Sequence, residues 1–117
     1  MLRIRNEQMQ AFGNEADREF QQRLVRHVAK MFPKKATALG PAGLRARVRR
    51  GVTKARKHGF ATERHIATYV DLTMAVGMDF DRLPWAQPVL LDREADAAAR
   101  IRRLQVKARR HGAGGAT

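Results

Sequence analysis

Apolar residues return at intervals of three and four along almost the whole chain, and the β-branched ones stand isolated. That period is the period of a helix surface, so the sequence is restricted to helices packed on helices, an all-α bundle of four to five members. The first segment runs from about Asn6 to Phe32, with Met9, Ala16, Phe20, Leu24, Val28 and Met31 on one face. Gly13-Asn14 interrupts it. Either Gly13 lets one helix bend, or Asn14 caps a second helix and leaves a short one before it. Pro33 ends the segment in both cases.

Punctuation residues divide the rest. Pro41 suits the first position of a helix that runs to about His58, and Gly59 suits the position beyond its end, where φ is positive. Its apolar stripe, Leu44, Val48, Val52 and Ala55, is narrow. Thr62 is placed to cap Glu63–Val76, and Gly77 to stop it. Ile66, Tyr69, Val70, Thr73, Met74 and Val76 wrap most of this helix, which puts it at the bundle centre and leaves Arg64, Thr68 and Asp71 for solvent. Met78–Pro84 reads as a loop and Pro84–Leu91 as a short helical segment that Pro88 distorts. Asp92 is expected to cap a last helix, about Arg93 to Arg110, with Ala97, Ile101, Leu104 and Ala108 inward. The reading is a single domain over residues 1–111, followed by a Gly-rich tail, 112–117, without the side chains to hold order.

Composition excludes whole classes of function. With no cysteine among 117 residues, a disulfide scaffold and every cysteine-based metal site are ruled out. Met1–Arg5 is followed by Asn6-Glu7-Gln8 rather than an apolar run, and no stretch reaches the ~20 apolar residues of a membrane span. Cytoplasmic residence, with no membrane insertion, is the expectation.

Charge is the loudest signal. The net charge is +13, and it comes in blocks: twelve Lys or Arg and no acid between Glu19 and Glu63, then six more after Asp96. Arg45, Arg47, Arg49, Arg50, Lys54, Arg56 and Lys57 share one helix, and Arg45, Arg49, Arg50, Lys54, Arg56 and Lys57 form a candidate basic surface for an acidic partner. Against a dedicated nucleic-acid surface, these residues spread around the helix instead of lining one edge. No helix-turn-helix, zinc-finger or RNA-recognition signature accompanies them, and no aromatics interleave as a stacking platform. Nucleic acid therefore stays as the alternative to a protein partner.

Reactive constellations are weak. Asp79 and Asp81, with Asp71 upstream, suggest a hard-cation site or an acid/base pair, but their spacing matches no calcium loop and turn chemistry accounts for them equally. His27, His58, His65 and His111 fall in separate segments without a metal-ligand pattern, and His27 reads as a satisfied core-edge residue. With no nucleophile motif and no phosphate-cradling glycine loop, the sequence predicts no catalytic residue, no metal, no cofactor and no small-molecule substrate. The remaining unusual stretch is Gly77–Trp85, acidic and aromatic inside a basic chain. Asp79, Phe80, Asp81, Pro84 and Trp85 are its candidate partner-binding residues, since aromatics beside a rigid proline make good anchors. Phe80 reads first as a plug for the bundle end; Trp85 fits either role.

Gly59-Phe60-Ala61-Thr62-Glu63-Arg64-His65-Ile66-Ala67-Thr68-Tyr69-Val70-Asp71-Leu72, with Gly77-Met78-Asp79-Phe80-Asp81 and Pro84-Trp85-Ala86 beyond it, resembles a recurring pattern in a group of small all-helical bacterial proteins. Ile4–Met9 and Phe20–Pro33 extend the likeness toward the start. The group is mostly of unknown function and is encoded beside spike, tip and effector genes of type VI secretion. His58 departs from the group, which has an aromatic before the glycine, and this chain is more basic. The resemblance implies a non-enzymatic accessory or adaptor-like protein of such a locus, binding an effector, spike or adaptor protein. An immunity protein to a neighbouring toxin is a further alternative.

Overall fold

A computed structural model describes residues 15–111. The Gly13-Asn14 interruption and the glycine tail lie outside them. Five helices follow one another: α1 (Glu15–Met31), α2 (Pro33–Lys57), α3 (Glu63–Ala75), α4 (Gln87–Leu91) and α5 (Ala97–Arg110), with a 3-10 turn at Phe80–Arg82. No strand occurs among the described residues, and the fold is all-α.

α1 buries Phe20, Leu24 and Val28 as the period demands, but two residues assigned to that face leave it. Ala16 is exposed and Met31 is 58% exposed, while Asp17 is buried one position away. The apolar face is therefore shorter than the sequence pattern, and its N-terminal end is held by a carboxylate.

The larger difference is at Pro33. It does end α1, but it also starts α2, because the ring's fixed φ suits the first turn and its missing N–H costs nothing there. Residues 33–39 are helical where only a connection was expected. Gly40 then breaks the rod with φ 74° and ψ 167°, a backbone state that a residue with a Cβ rarely takes. Pro41 restarts it. Leu44, Val48, Val52 and Ala55 point inward as expected, and Gly59, at φ 90°, turns the chain out of α2.

Thr62 caps α3 by accepting from the His65 amide at 3.1 Å. α3 is the central rod, touching α1, α2 and α5. It buries Ile66, Tyr69, Val70, Leu72, Thr73 and Met74; Val76 is only half-buried, and Leu72 takes the extra place. Gly51 of α2 lies against it, so close that a Cβ there would stand 3.1 Å from Val70 Cγ2.

Asp92 does not cap the last helix. Its carboxylate is taken by the Glu94 amide at 3.0 Å and by Arg103 at 3.0 Å, and Asp96 caps α5 instead, accepting from the Ala99 amide at 2.8 Å. Both aspartates carry the same capping chemistry, but Asp96 stands directly before Ala97-Ala98-Ala99, the strongest helix formers in the region. Pro88 sits in the first turn of α4 and does not distort it. The inward residues of all five helices form one cluster with Phe60, Phe80 and Ala86. No helix among the described residues is long and apolar enough to cross a membrane.

Candidate interaction surfaces

Two regions were marked by the sequence, the Gly77–Trp85 connection and the basic run of α2, and the structure ties them together. Lys54 projects from α2 into the connection. Its ammonium donates to the Met78 carbonyl at 2.9 Å, to Asp79 at 3.1 Å and to Asp81 at 3.0 Å. His58, one turn on, reaches the other Asp81 oxygen at 2.9 Å. A lysine ammonium thus occupies the place between the two carboxylates where a metal ion would have to sit.

These contacts set the proton affinities. Burial pushes the Asp81 carboxyl up, but hydrogen bonds from His58 and Lys54, and the charge of Lys54, outweigh it and hold the group below the usual carboxylate range. Asp79 is held low by the Lys54 hydrogen bond and then by its charge. The Tyr69 hydroxyl, beneath them, is pushed well above the ordinary phenol range, first by burial and then by the charge of Asp81.

The aromatics complete the plug. Phe80 is 1% exposed and lies 4.9 Å, centre to centre, from Tyr69. Trp85 is half-buried, 6.2 Å from Phe80 and stacked 5.3 Å from His111 at an interplanar angle of 10°. Of the five residues offered to a partner, Phe80 and Asp81 are therefore turned inward, because the connection folds back on α2 and α3 and spends them there. Pro84 and Asp79 are exposed, though Asp79 is held by Lys54. Trp85 is only half-buried.

The basic surface needs the same correction. Lys54 is committed as described, and Arg56 donates to the buried Asp17 at 2.6 Å, so neither faces outward as a free cation. Arg47 is also turned in, donating to the Thr73 carbonyl at 3.0 Å. Arg56 and Arg47 sit where α2 faces α1 and α3, Lys54 where it faces the connection, and each serves a carboxylate or carbonyl that burial would otherwise leave uncompensated. Arg45, Arg49, Arg50 and Lys57 remain exposed, Arg50 at 3.9 Å from Asp79. His27 has a partner, Asp71 at 2.9 Å, but it is exposed rather than at the core edge. No group of three or more His, Cys, Asp or Glu able to hold a metal occurs among the described residues.

α1 and both halves of α2 flank an open groove, formed by two adjoining hollows of about 430 and 640 Å3 that share Gln22, Val25 and Arg45. Val25, Ala29, Ala36 and Leu44 floor it and belong to, or pack against, the core cluster. Its only sequence signal is Gly40-Pro41, the break that lets α2 change course beside α1.

Compared with models of protein families, with curated proteins and with solved structures, the chain matches none.

Proposed function

We propose that the chain is a non-enzymatic accessory protein that binds another protein, and that its setting is the one its sequence resembles, a type VI secretion locus in which the partner is an effector, spike or adaptor. The observation that carries the binding reading is how the charge is spent. Asp17, Glu63, Asp71, Asp79, Asp81 and Asp92 each have a basic partner within the chain, while Arg26, Arg45 and Arg49 are exposed and pair with no carboxylate among the described residues. Among the described residues, most carboxylates have a basic partner within the chain, while exposed arginines without one face outward. Such a surface steers an acidic partner toward the molecule and suppresses basic ones.

Co-expression with the products of the adjacent secretion genes, followed by affinity capture at moderate and at high salt, tests the reading. One protein partner retained in stoichiometric amount at moderate salt supports it, and deletion of the gene should then stop delivery of that effector while the machine still fires. Nucleic acid as the sole retained partner, with a steep salt dependence, would overturn it. So would rescue of a poisoned cell as the only phenotype, which would make the chain an immunity protein.

A further inference from the structure

The groove between α1 and α2 narrows the class of partner. Its floor is apolar: Val25 and Ala29 from α1, Ala36 from the first part of α2 and Leu44 from the second. Its rim is cationic, with Arg26 on one side and Arg45 and Arg49 on the other. The carboxylate that lines it, Asp17, is held by Arg56 at 2.6 Å. From Arg18 to Ala29 the α1 wall is about 17 Å long at 1.5 Å per residue, about three helical turns.

The geometry points to a docking site for an acidic amphipathic helix of the partner protein, a deepening that rests on the protein-binding reading above. Two helices side by side offer ridges and a trough into which a third helix packs, completing a layer. An apolar stripe on that helix would cover Val25, Ala29, Ala36 and Leu44, and Glu or Asp on its flanks would meet the three arginines. Both halves of the match are needed: the floor supplies affinity through area removed from water, the rim supplies orientation and the rate of encounter. A phosphate backbone would satisfy the rim and waste the floor, which offers methyl and methylene groups rather than donors, and among the described residues no aromatic ring lines the groove for bases to stack on.

The test uses the full chain and three probes: a synthetic peptide of about four turns with Leu at helical spacing and Glu elsewhere, the same residues permuted to destroy the stripe, and a short duplex DNA. The patterned peptide should bind and gain helical circular dichroism, and the permuted one should not. Arg45→Glu with Arg49→Glu should weaken the patterned peptide by about tenfold or more. Arg109→Glu with Arg110→Glu, the same charge change on exposed residues of α5, should leave it unchanged.

Equal binding of the permuted peptide, or equal loss in the α5 variant, would overturn the proposal by showing attraction to net charge alone. DNA that competes with the peptide and binds more tightly, through the same two arginines, would reassign the groove to nucleic acid. If the peptide fails while a captured secretion protein binds wild type and the Arg45/Arg49 variant alike, the groove proposal falls and the protein-binding reading stands; if neither binds, both fall.

Discussion

Lys54 and Asp81 lie 3.0 Å apart, with side chains only 18% and 12% exposed, and they join the last turn of α2 to the connection that closes the bundle. The pair is one corner of a larger arrangement, because the same ammonium also holds the Met78 carbonyl and Asp79. Removing the lysine would leave Asp81 half-buried with His58 as its remaining partner beside a second carboxylate. Stripping one member from a largely buried pair costs about 3–5 kcal/mol, and His58 offsets part of that. Lys54→Met is therefore expected to destabilise the protein by about 2–3 kcal/mol, read as the shift in urea unfolding at neutral pH. A change within about 0.5 kcal/mol would place the pair among surface bridges that contribute little.

The same carboxylate makes stability depend on pH. Because Asp81 is held lower in the folded chain than in the unfolded one, it binds fewer protons when folded, and its contribution is complete above the unfolded value of about 3.9. The contribution fades as pH falls through the folded value. Asp92, held low by the Arg103 hydrogen bond, acts in the same direction. Unfolding free energy measured from pH 7 down to about 3 should therefore fall on acidification, and Asp81→Asn should start lower and fall less steeply over that acidic limb. Parallel curves for the two proteins would show that Asp81 is not a linked group.

The helices were legible because helical period, capping and breaking are local properties. Leu44-Val48-Val52-Ala55, the Thr62 cap and the Gly59 turn need no knowledge of the rest of the chain. What escaped was set by distant partners. Nothing near Asp17 in sequence announces Arg56, 39 residues away, so its burial on the apolar side of α1 has no local signal. Likewise Asp81 fits a candidate contact loop in sequence because its destinations, Lys54 and His58, are contributed by other elements, whereas Phe80, which reads first as a plug, does pack inward against Tyr69. The groove escapes for the same reason: its walls are two helices whose relative placement depends on the break at Gly40, and Gly40-Pro41 alone does not say which helix will lie beside it.

Gly51 separates local propensity from packing. Glycine inside a helix costs about 0.5–1 kcal/mol against alanine, so propensity alone predicts a gain from Gly51→Ala. A Cβ at that place would meet Val70 Cγ2 at 3.1 Å and Thr73 Oγ1 at 3.6 Å, so the gain must be shared with a small displacement of α3. The two nearly cancel for alanine, within about 1 kcal/mol of wild type. Gly51→Leu adds a branched side chain that the α2–α3 contact has no room for, and overpacking of that kind costs about 1–3 kcal/mol or more. Thermal unfolding of the two variants checks the contrast; a leucine as stable as the alanine would mean that the helices separate freely at this crossing.

Arg100 carries the last prediction, because it joins three elements with one planar group. Its Nη1 donates to the His58 carbonyl at the end of α2 at 3.0 Å and to the Leu90 carbonyl in α4 at 3.4 Å, while the guanidinium lies 4.7 Å over the Phe60 ring. A lysine can supply one charge but neither the flat face nor the fixed fork, so Arg100→Lys should recover little of what Arg100→Met loses. The loss is expected at about 2–3 kcal/mol, from hydrogen bonds to a charged donor of about 1.5–3 kcal/mol and a cation–π contact of about 1 kcal/mol, less what the shorter chains recover by packing. Because α4 is a single short helix tied to α5 partly through this residue, amide exchange at Val89 and Leu90 should accelerate more in both variants than exchange in the middle of α3. Full rescue by lysine would reduce the contact to a point charge and remove the geometric role assigned to the fork.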